Sequence, residues 1–351
     1  MNFNLETKVV KIENENYAPL DEAAEIIKSG GLVAMPTETV YGLGANGLDA
    51  DACRRIFEAK GRPGDNPLII HIGCIEDIEK YTAVNTCTDK ELIYELARAF
   101  MPGPITMVLP KADIIPTEVT AGLDTVAVRF PSHPVAAQLI RKSGVPIAAP
   151  SANRSGSPSP TCAHHVIDDM DGRIEMIVDG GQCEIGLEST IIMPKNGVIK
   201  LLRPGAVTME QLSEFAPVEA DKALTEKMKE GEKPLAPGMK YRHYAPHVPV
   251  VTVCGSDEKV MEFFERKLSS SRVAVLCFEE QKKRLEAFSN IFSLGPKADV
   301  NTQAKLLFEK LREIDRHDFD VVYAVEPCRS GVGFAVYNRL IKACGYEVIC
   351  L

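Results

Sequence analysis

At 351 residues the chain is longer than one hydrophobic core usually supports, so two domains are expected. Hydrophobic residues make up 45% and charged residues 25%, without a single Trp, which excludes a disordered or fibrous chain. A net charge of -9 excludes any global attraction for polyanions, so phosphate chemistry has to rest on a local cluster of cations.

The N-terminal MNFNLETKVVKIENENYAPL carries no apolar segment after a basic start. No later apolar run approaches the roughly 18 residues that span a bilayer. A cytoplasmic protein that does not engage a membrane is expected. Ten cysteines, at 53, 74, 87, 162, 183, 254, 277, 328, 344 and 350, form no C-x-x-C pair and fall mostly in apolar stretches. They read as small core residues, and neither a zinc site nor a disulfide framework is expected.

Residues 1–215 mix helical patterns such as LDEAAEIIKSG and DADACRRIFEAKG with the strand-like runs GLVAMP, NPLIIHI, ITMVLP, TVAVRFP, GVPIAAP, MIVDGG and TIIMP. Strands outnumber helices and do not alternate regularly with them. That predicts an α/β domain of α+β character, a twisted mixed sheet with flanking helices.

Within it, PTETVYGLGANG contains Gly42, Gly44 and Gly47 in G-x-G-x-x-G spacing. In a dinucleotide fingerprint the first glycine follows directly on a buried strand and the helix opens within the motif. Here PTETVY separates GLVAM from Gly42, the helix starts near Asp49 or Asp51, and no acidic residue closes NPLIIHIG. The glycines therefore read as a close-packed turn, and the polar half, with Thr37, Glu38 and Thr39, is the more informative. Those hydroxyls face a ligand or cap the chain locally.

Helix 51–60 runs into Lys60-Gly61-Arg62-Pro63-Gly64-Asp65-Asn66. Its cations are ordinary partners of a helix C-terminus, but Arg62 and Asn66 in a rigid loop also suit phosphate oxygens. TVAVRF sets Arg129 among apolar neighbours, where the charge needs a protein carboxylate or a ligand anion. The loop PSANRSGSPSPT supplies Ser151, Asn153, Ser155, Ser157, Ser159 and Thr161. ESTII supplies Glu188, Ser189 and Thr190, and LRPG supplies Arg203. No nucleophilic Cys, Ser-His-Asp set or carboxylate pair stands out. Positioning and charge neutralisation, as in phosphoryl or nucleotidyl transfer, fit best.

Residues 216–247 read as a linker. The Pro-rich EKPLAPGMKYRHYAPHVP carries Lys240, Tyr241, Arg242, His243 and Tyr244, more chemistry than a passive spacer needs, although an inert connector remains open. From 248 to 351, VPVVTVCG, RVAVLCF, SNIFSLG, FDVVYAVEP and YEVICL alternate strictly with helical segments. This predicts a smaller, Rossmann-like domain with a doubly wound parallel sheet. Its Ser330-Gly331-Val332-Gly333 turn reads as a helix start.

PTETVYGLG, KGRPGDNPL, TAGLDTVAVRFP, PSANRSGSPSPT, ESTII, LRPGA and APGMKYRHYAP, in this order, closely resemble the YrdC-like family in its long two-domain form. The resemblance covers the first domain and linker almost continuously. It implies a nucleotidyltransferase that combines L-threonine, bicarbonate and ATP into threonylcarbamoyl-AMP and pyrophosphate. The product would pass to the machinery that modifies tRNA beside the anticodon, without stable direct tRNA binding. Magnesium would accompany ATP, Glu38 being the one guess at a protein ligand, and no organic cofactor is implied.

Carried over, the resemblance places Thr39, His71, Arg129, Ala149 and Ser189 around threonine. It assigns Arg62, Asn66, Thr125, Ser151, Ser159, Arg203 and, in the linker, Tyr241 to ATP. Lys60 and Asn153 complete its K-x-R and S-x-N signatures, so Lys60, Arg62, Ser151 and Asn153 form the implied catalytic set. Tyr241 would belong to a lid over the cavity. The rivals are an RNA-binding module and a carbamoyl-adenylate transferase of hydrogenase maturation.

Overall fold

The structure is a computed structural model that describes residues 5–224, 226, 234–237 and 244–351. They fall into two compact units. The first comprises 5–155, 159–184 and 188–237, and the second 156–158, 185–187 and 244–351.

The first unit is built on β1 (Lys8–Lys11), β2 (Val33–Met35), β3 (Gly42–Asn46), β4 (Ile69–His71), β5 (Ile105–Pro110), β6 (Thr125–Arg129), β7 (Ile147–Ala148), β8 (Met176–Asp179), β9 (Thr190–Lys195), β10 (Val198–Arg203) and β11 (Val218–Ala220). They form one sheet in the order β1-β8-β2-β3-β7-β4-β6-β5-β9-β10-β11. Parallel neighbours such as β4–β6 and β5–β9 alternate with antiparallel ones such as β3–β7 and β5–β6, the mixed sheet that the irregular sequence pattern predicts.

Amphipathic helices cover the sheet. Helix Leu20–Lys28 buries Leu20, Ala23, Ala24 and Ile27, the i, i+3, i+4, i+7 stripe of one helical face. With helix Pro134–Ser143 it packs on Val33, Met35, Ile147, Ala149, Met176 and Val178. Helix Ala50–Lys60 starts at Asp49, whose carboxylate accepts from the amides of Asp51 and Ala52. It stops at Gly61, which takes the left-handed conformation that ends helices.

Two stretches differ from expectation. The glycine motif is a strand rather than a turn: Gly42-Leu43-Gly44-Ala45-Asn46 is β3, antiparallel to β2 and β7. A Cβ on Gly44 would lie 2.8 Å from the Ile147 side chain and 3.1 Å from the Val33 carbonyl oxygen, so close approach of neighbouring layers, not a special φ, demands glycine. The expected linker from 216 also begins as structure, since β11 pairs with β10 before a short turn of helix at Lys222–Leu224. Leu235 and Ala236 then pack on a cluster of Ile69, Val108, Ala127, Ile191 and Leu202. Lys240 to His243, including Tyr241, lie outside the described residues.

The second unit carries β12 (Val250–Cys254), β13 (Val273–Cys277), β14 (Ile291–Ser293), β15 (Val321–Val325) and β16 (Val348–Cys350) in the order β14-β13-β15-β12-β16. Every neighbouring pair is parallel. Intervening helices supply the crossovers, so the doubly wound sheet expected from strict alternation is what forms. Helix Asp257–Lys267 buries Val260, Met261, Phe263 and Phe264 on one face, and helices Val300–Ile314 and Gly331–Ala343 pack together. Tyr244 stacks on Phe308 at 5.1 Å between ring centroids, with the Arg339 guanidinium 5.6 Å from its ring.

All ten cysteines are free thiols, but only Cys53, Cys183, Cys277 and Cys344 are buried, fewer than the apolar context suggested. Among the described residues no helix is long and apolar enough to cross a membrane.

Replacing Gly44 by Ala is expected to destabilise the first unit by about 1–3 kcal/mol, the usual effect of overpacking a close-packed layer. A denaturant midpoint indistinguishable from the parent's would show that the β2–β3–β7 packing is looser than described.

Candidate active site

Paired residues in neighbouring strands share a sheet face. His71 pairs with Arg129 and with Ile147, Ile69 with Ala127, and Val108 with Ala127. Thr106 pairs with Ile191, which in turn pairs with Arg203. His71, Arg129, Thr106 and Arg203 therefore project from one face, and Ser189, two residues before Ile191, joins them. Apolar clusters flank this polar patch on the same face, one around Val33, Met35, Ile147 and Ala149, the other around Ile69, Val108, Ala127 and Ile191.

Glu38 reaches the patch from the loop after β2. Its carboxylate lies 2.7 Å from Arg129 Nη2, with both side chains 5% exposed. Burial favours the neutral acid, but the Arg129 guanidinium outweighs it and holds the carboxyl below its ordinary value. Arg129 meets Glu38 through Nη2, and its Nε has no hydrogen-bond partner among the described residues. Those two nitrogens are the side-on edge of the guanidinium, the edge that grips a carboxylate with two parallel bonds. The sequence left open whether Arg129 faces a protein carboxylate or a ligand anion. It faces Glu38 through one nitrogen of that edge, with Nε left over.

His71 is fully buried beside this pair, and its Nδ1 lies 3.2 Å from the Ile147 carbonyl oxygen. A carbonyl only accepts, so Nδ1 carries the proton and Nε2 keeps its lone pair. Burial, reinforced by the Arg129 charge, lowers the imidazole to about 3. It is a neutral acceptor, too weak a base to deprotonate an ammonium.

Thr37 closes the PTET loop by bonding its own backbone: its hydroxyl donates to the Val40 carbonyl at 2.6 Å and pairs with the Thr39 hydroxyl at 2.8 Å. Local capping thus accounts for Thr37, and it fixes Thr39 in place. Ala149 sits at the end of β7, its amide donating to the Ile69 carbonyl at 2.9 Å. Ser189 shares a hydrogen bond with Thr106 at 2.7 Å and receives one from Arg203 Nη2 at 3.2 Å, while Arg203 Nε donates to the Ser189 carbonyl. Arg203 Nη1 donates to the Pro237 carbonyl at 3.4 Å. The turn after Arg203 presses against β9, where a Cβ on Gly205 would meet the Thr190 amide at 2.4 Å.

A second cluster surrounds the C-terminus of helix Ala50–Lys60. Lys60 Nζ donates to the carbonyls of Ser151 and Asn153, each at 2.5 Å, and the Ser151 hydroxyl donates to Asn153 Oδ1 at 2.5 Å. Lys60 thus organises the Ser151–Asn153 loop from beneath. Arg62 Nη2 donates to the Asn66 carbonyl at 3.1 Å and its guanidinium lies over Phe57. The Asn66 amide is fully buried, and neither its oxygen nor its nitrogen has a partner among the described residues. Ser159 donates to Glu188 at 2.5 Å.

The implied threonine and ATP residues are thus distributed along the strands. Asn66 precedes β4 and Thr125 opens β6, whereas His71 and Arg129 close those two parallel strands. Thr125 lies about 13 Å along β6 from Arg129, a separation that one small amino acid does not bridge. Glu38 is paired with Arg129, and no group of three His, Cys, Asp or Glu among the described residues could hold a metal ion. Sequence reasoning missed Thr106; its only signal is one hydroxyl in the otherwise apolar run ITMVLP.

A buried guanidinium, a neutral histidine and hydroxyls fixed by hydrogen bonds thus share one sheet face. Residues 25–205 match the Sua5/YciO/YrdC family, described as "Telomere recombination", and residues 207–345 match "Threonylcarbamoyl-AMP synthase, C-terminal domain". The chain is 46% identical to the threonylcarbamoyl-AMP synthase of Bacillus subtilis, over 95% of each chain. It is 47% identical to that of Pyrococcus abyssi, over 93% of this chain and 94% of the other. A crystal structure of P. abyssi Sua5 complexed with L-threonine superposes with a TM-score of 0.89 at 44% identity, covering 98% of this chain and 100% of that one. The chain belongs to the Sua5/YciO/YrdC family, in its two-domain form.

Folded His71 binds its proton far more weakly than an unfolded histidine, and Glu38 likewise lies below its ordinary value. Both therefore contribute stability at neutral pH that is lost on acidification, His71 as pH falls from about 6.5 towards 3 and Glu38 below about 4.5. The urea midpoint should drop between pH 6.5 and 5, with a slope from His71 of up to about 1.4 kcal/mol per pH unit. His71→Asn should flatten that slope; an unchanged slope would place the titration elsewhere.

Proposed function

We infer that the protein is a nucleotidyltransferase that joins L-threonine, bicarbonate and ATP into threonylcarbamoyl-AMP and releases pyrophosphate. The adenylate then serves threonylcarbamoyladenosine formation beside the tRNA anticodon. The observation that carries this reading is a guanidinium, Arg129, buried on the sheet face with its Nε without a hydrogen-bond partner among the described residues, in a chain related over nearly its whole length to a protein solved with L-threonine.

In this reading Arg129 grips the threonine carboxylate, and Glu38 holds the guanidinium in place and keeps the buried charge balanced. Ala149 and Thr39 line the pocket, while His71 Nε2 and the Ser189 hydroxyl orient the amine and the side-chain hydroxyl. The amine takes up carbon dioxide from bicarbonate as a carbamate. A carbamate oxygen attacks the α-phosphorus, a P–O bond forms, and the bond to pyrophosphate breaks.

No protein nucleophile takes part. His71 is too weak a base to take part, so the ammonium loses one proton to the hydroxide that bicarbonate yields with carbon dioxide. The second, shed as the carbamate forms, goes to solvent; the chain's contribution is orientation and electrostatics. ATP enters with magnesium as its counter-ion and is held by Arg62, Asn66, Thr125, Ser151, Ser159, Arg203 and Tyr241. Lys60 and Asn153 fix the loop that presents Ser151. The product passes to the threonylcarbamoyl-transfer machinery in the cytoplasm. The RNA-binding alternative requires an attraction for polyanions that a net charge of -9 opposes.

Pyrophosphate release from magnesium-ATP and bicarbonate should depend on L-threonine, and threonine-independent release at the same rate would overturn the reading. Arg129→Lys keeps the charge but loses the two-pronged grip. It should raise the KM for threonine by roughly 10- to 100-fold, an effect of about 1.4–2.8 kcal/mol, with ATP affinity little changed. Equal losses for threonine and ATP would move Arg129 out of the amino acid pocket.

A further inference from the structure

The second unit holds a thiol pair that the adenylation chemistry does not use. Cys254 closes β12 and Cys350 closes β16, and the two are register partners across neighbouring parallel strands. Their Sγ atoms lie 3.0 Å apart, with Cys254 donating to Cys350. Cys350 is exposed and Cys254 half-buried, unlike the core thiols Cys277 and Cys344 of the same unit. Cys254 also lines a cavity of about 490 Å³ at the carboxyl ends of β12, β13 and β15, bordered by Glu326, Cys328 and Arg329. A small reagent therefore reaches the pair from solvent.

We propose that Cys254 and Cys350 form a redox-modification site, a dithiol that closes to a disulfide by exchange with a small-molecule disulfide. Register partners in adjacent strands keep their Cα atoms within the range that a disulfide spans, so closure needs only rotation about the side-chain bonds. Cys254 holds its proton, pushed up to about 11 by the hydrogen bond it donates to Cys350 and by burial. Exchange therefore starts at the exposed Cys350.

The Cys350 thiolate attacks one sulfur of R–S–S–R, forming Cys350–S–S–R and releasing RS⁻. The Cys254 sulfur then attacks the Cys350 sulfur and expels the second RS⁻. The two protein protons go to the leaving thiolates, giving 2 RSH, and two electrons pass from the protein dithiol to the small disulfide. β16 is the edge of the sheet and is bonded only to β12 among the described strands. The bridge would tie this edge to the interior across residues 96 apart in sequence.

The test equilibrates the full chain in glutathione buffers of increasing oxidised fraction, followed by acid quench, alkylation and peptide mass spectrometry. The expected result is a 254–350 linked peptide, a loss of about 2 Da and slower hydrogen exchange in β16, before other thiols react. In Cys254→Ser, where the second step is impossible, a glutathione adduct should instead accumulate on Cys350. The proposal is overturned if both thiols stay reduced in fully oxidised glutathione, if either pairs with Cys328, or if the parent chain stops at the Cys350 adduct.

Discussion

One buried ion pair sets the terms for the first unit. A guanidinium on a sheet face and a carboxylate from a neighbouring loop sit 2.7 Å apart in an environment that tolerates neither charge alone. Because Glu38 balances Arg129, the arginine stays charged on the face. Its Nη2 meets Glu38, and its Nε is left without a partner among the described residues. Burial, reinforced by the same charge, keeps His71 neutral, so no imidazolium sits beside the pair.

Around that pair, precision comes from the sheet rather than from loops. Strand register places His71 beside Arg129 and Thr106 and Arg203 further across the same face, and short polar contacts lock each hydroxyl. Lys60 plays the corresponding part at the other cluster. Its helix ends on a left-handed glycine, which turns the chain so that the ammonium lies under two carbonyls of the Ser151–Asn153 loop. A reaction whose nucleophile is the substrate's own carbamate needs this kind of fixed framework more than it needs a reactive side chain.

Much of this was legible before any coordinates. Strict strand–helix alternation marked the second sheet because parallel strands buried on both faces read as apolar runs. The first sheet was legible in outline but lost β1, β3 and β11. β3 is glycine-rich, with low intrinsic strand preference, and forms because Ile147 and Val33 leave no room for a side chain. β11 is three residues long and largely exposed, so no alternation betrays it. In the site, Arg129 announced itself as a charge in an apolar strand. Its partner did not, since Glu38 is distant in sequence and only the fold brings the two together. The resemblance supplied the expected membership of the pocket; the Glu38–Arg129 pair, the neutral His71 and the contacts of Lys60 with its loop came from geometry alone.

The central claim, that a carbamate of threonine is adenylated on this face, is tested most directly by following carbon. Incubation with L-threonine, magnesium-ATP and ¹³C-bicarbonate, followed by mass spectrometry of the nucleotide product, should give threonylcarbamoyl-AMP labelled at its carbamoyl carbon, in step with pyrophosphate. Pyrophosphate without a labelled threonine-containing adenylate would contradict the account.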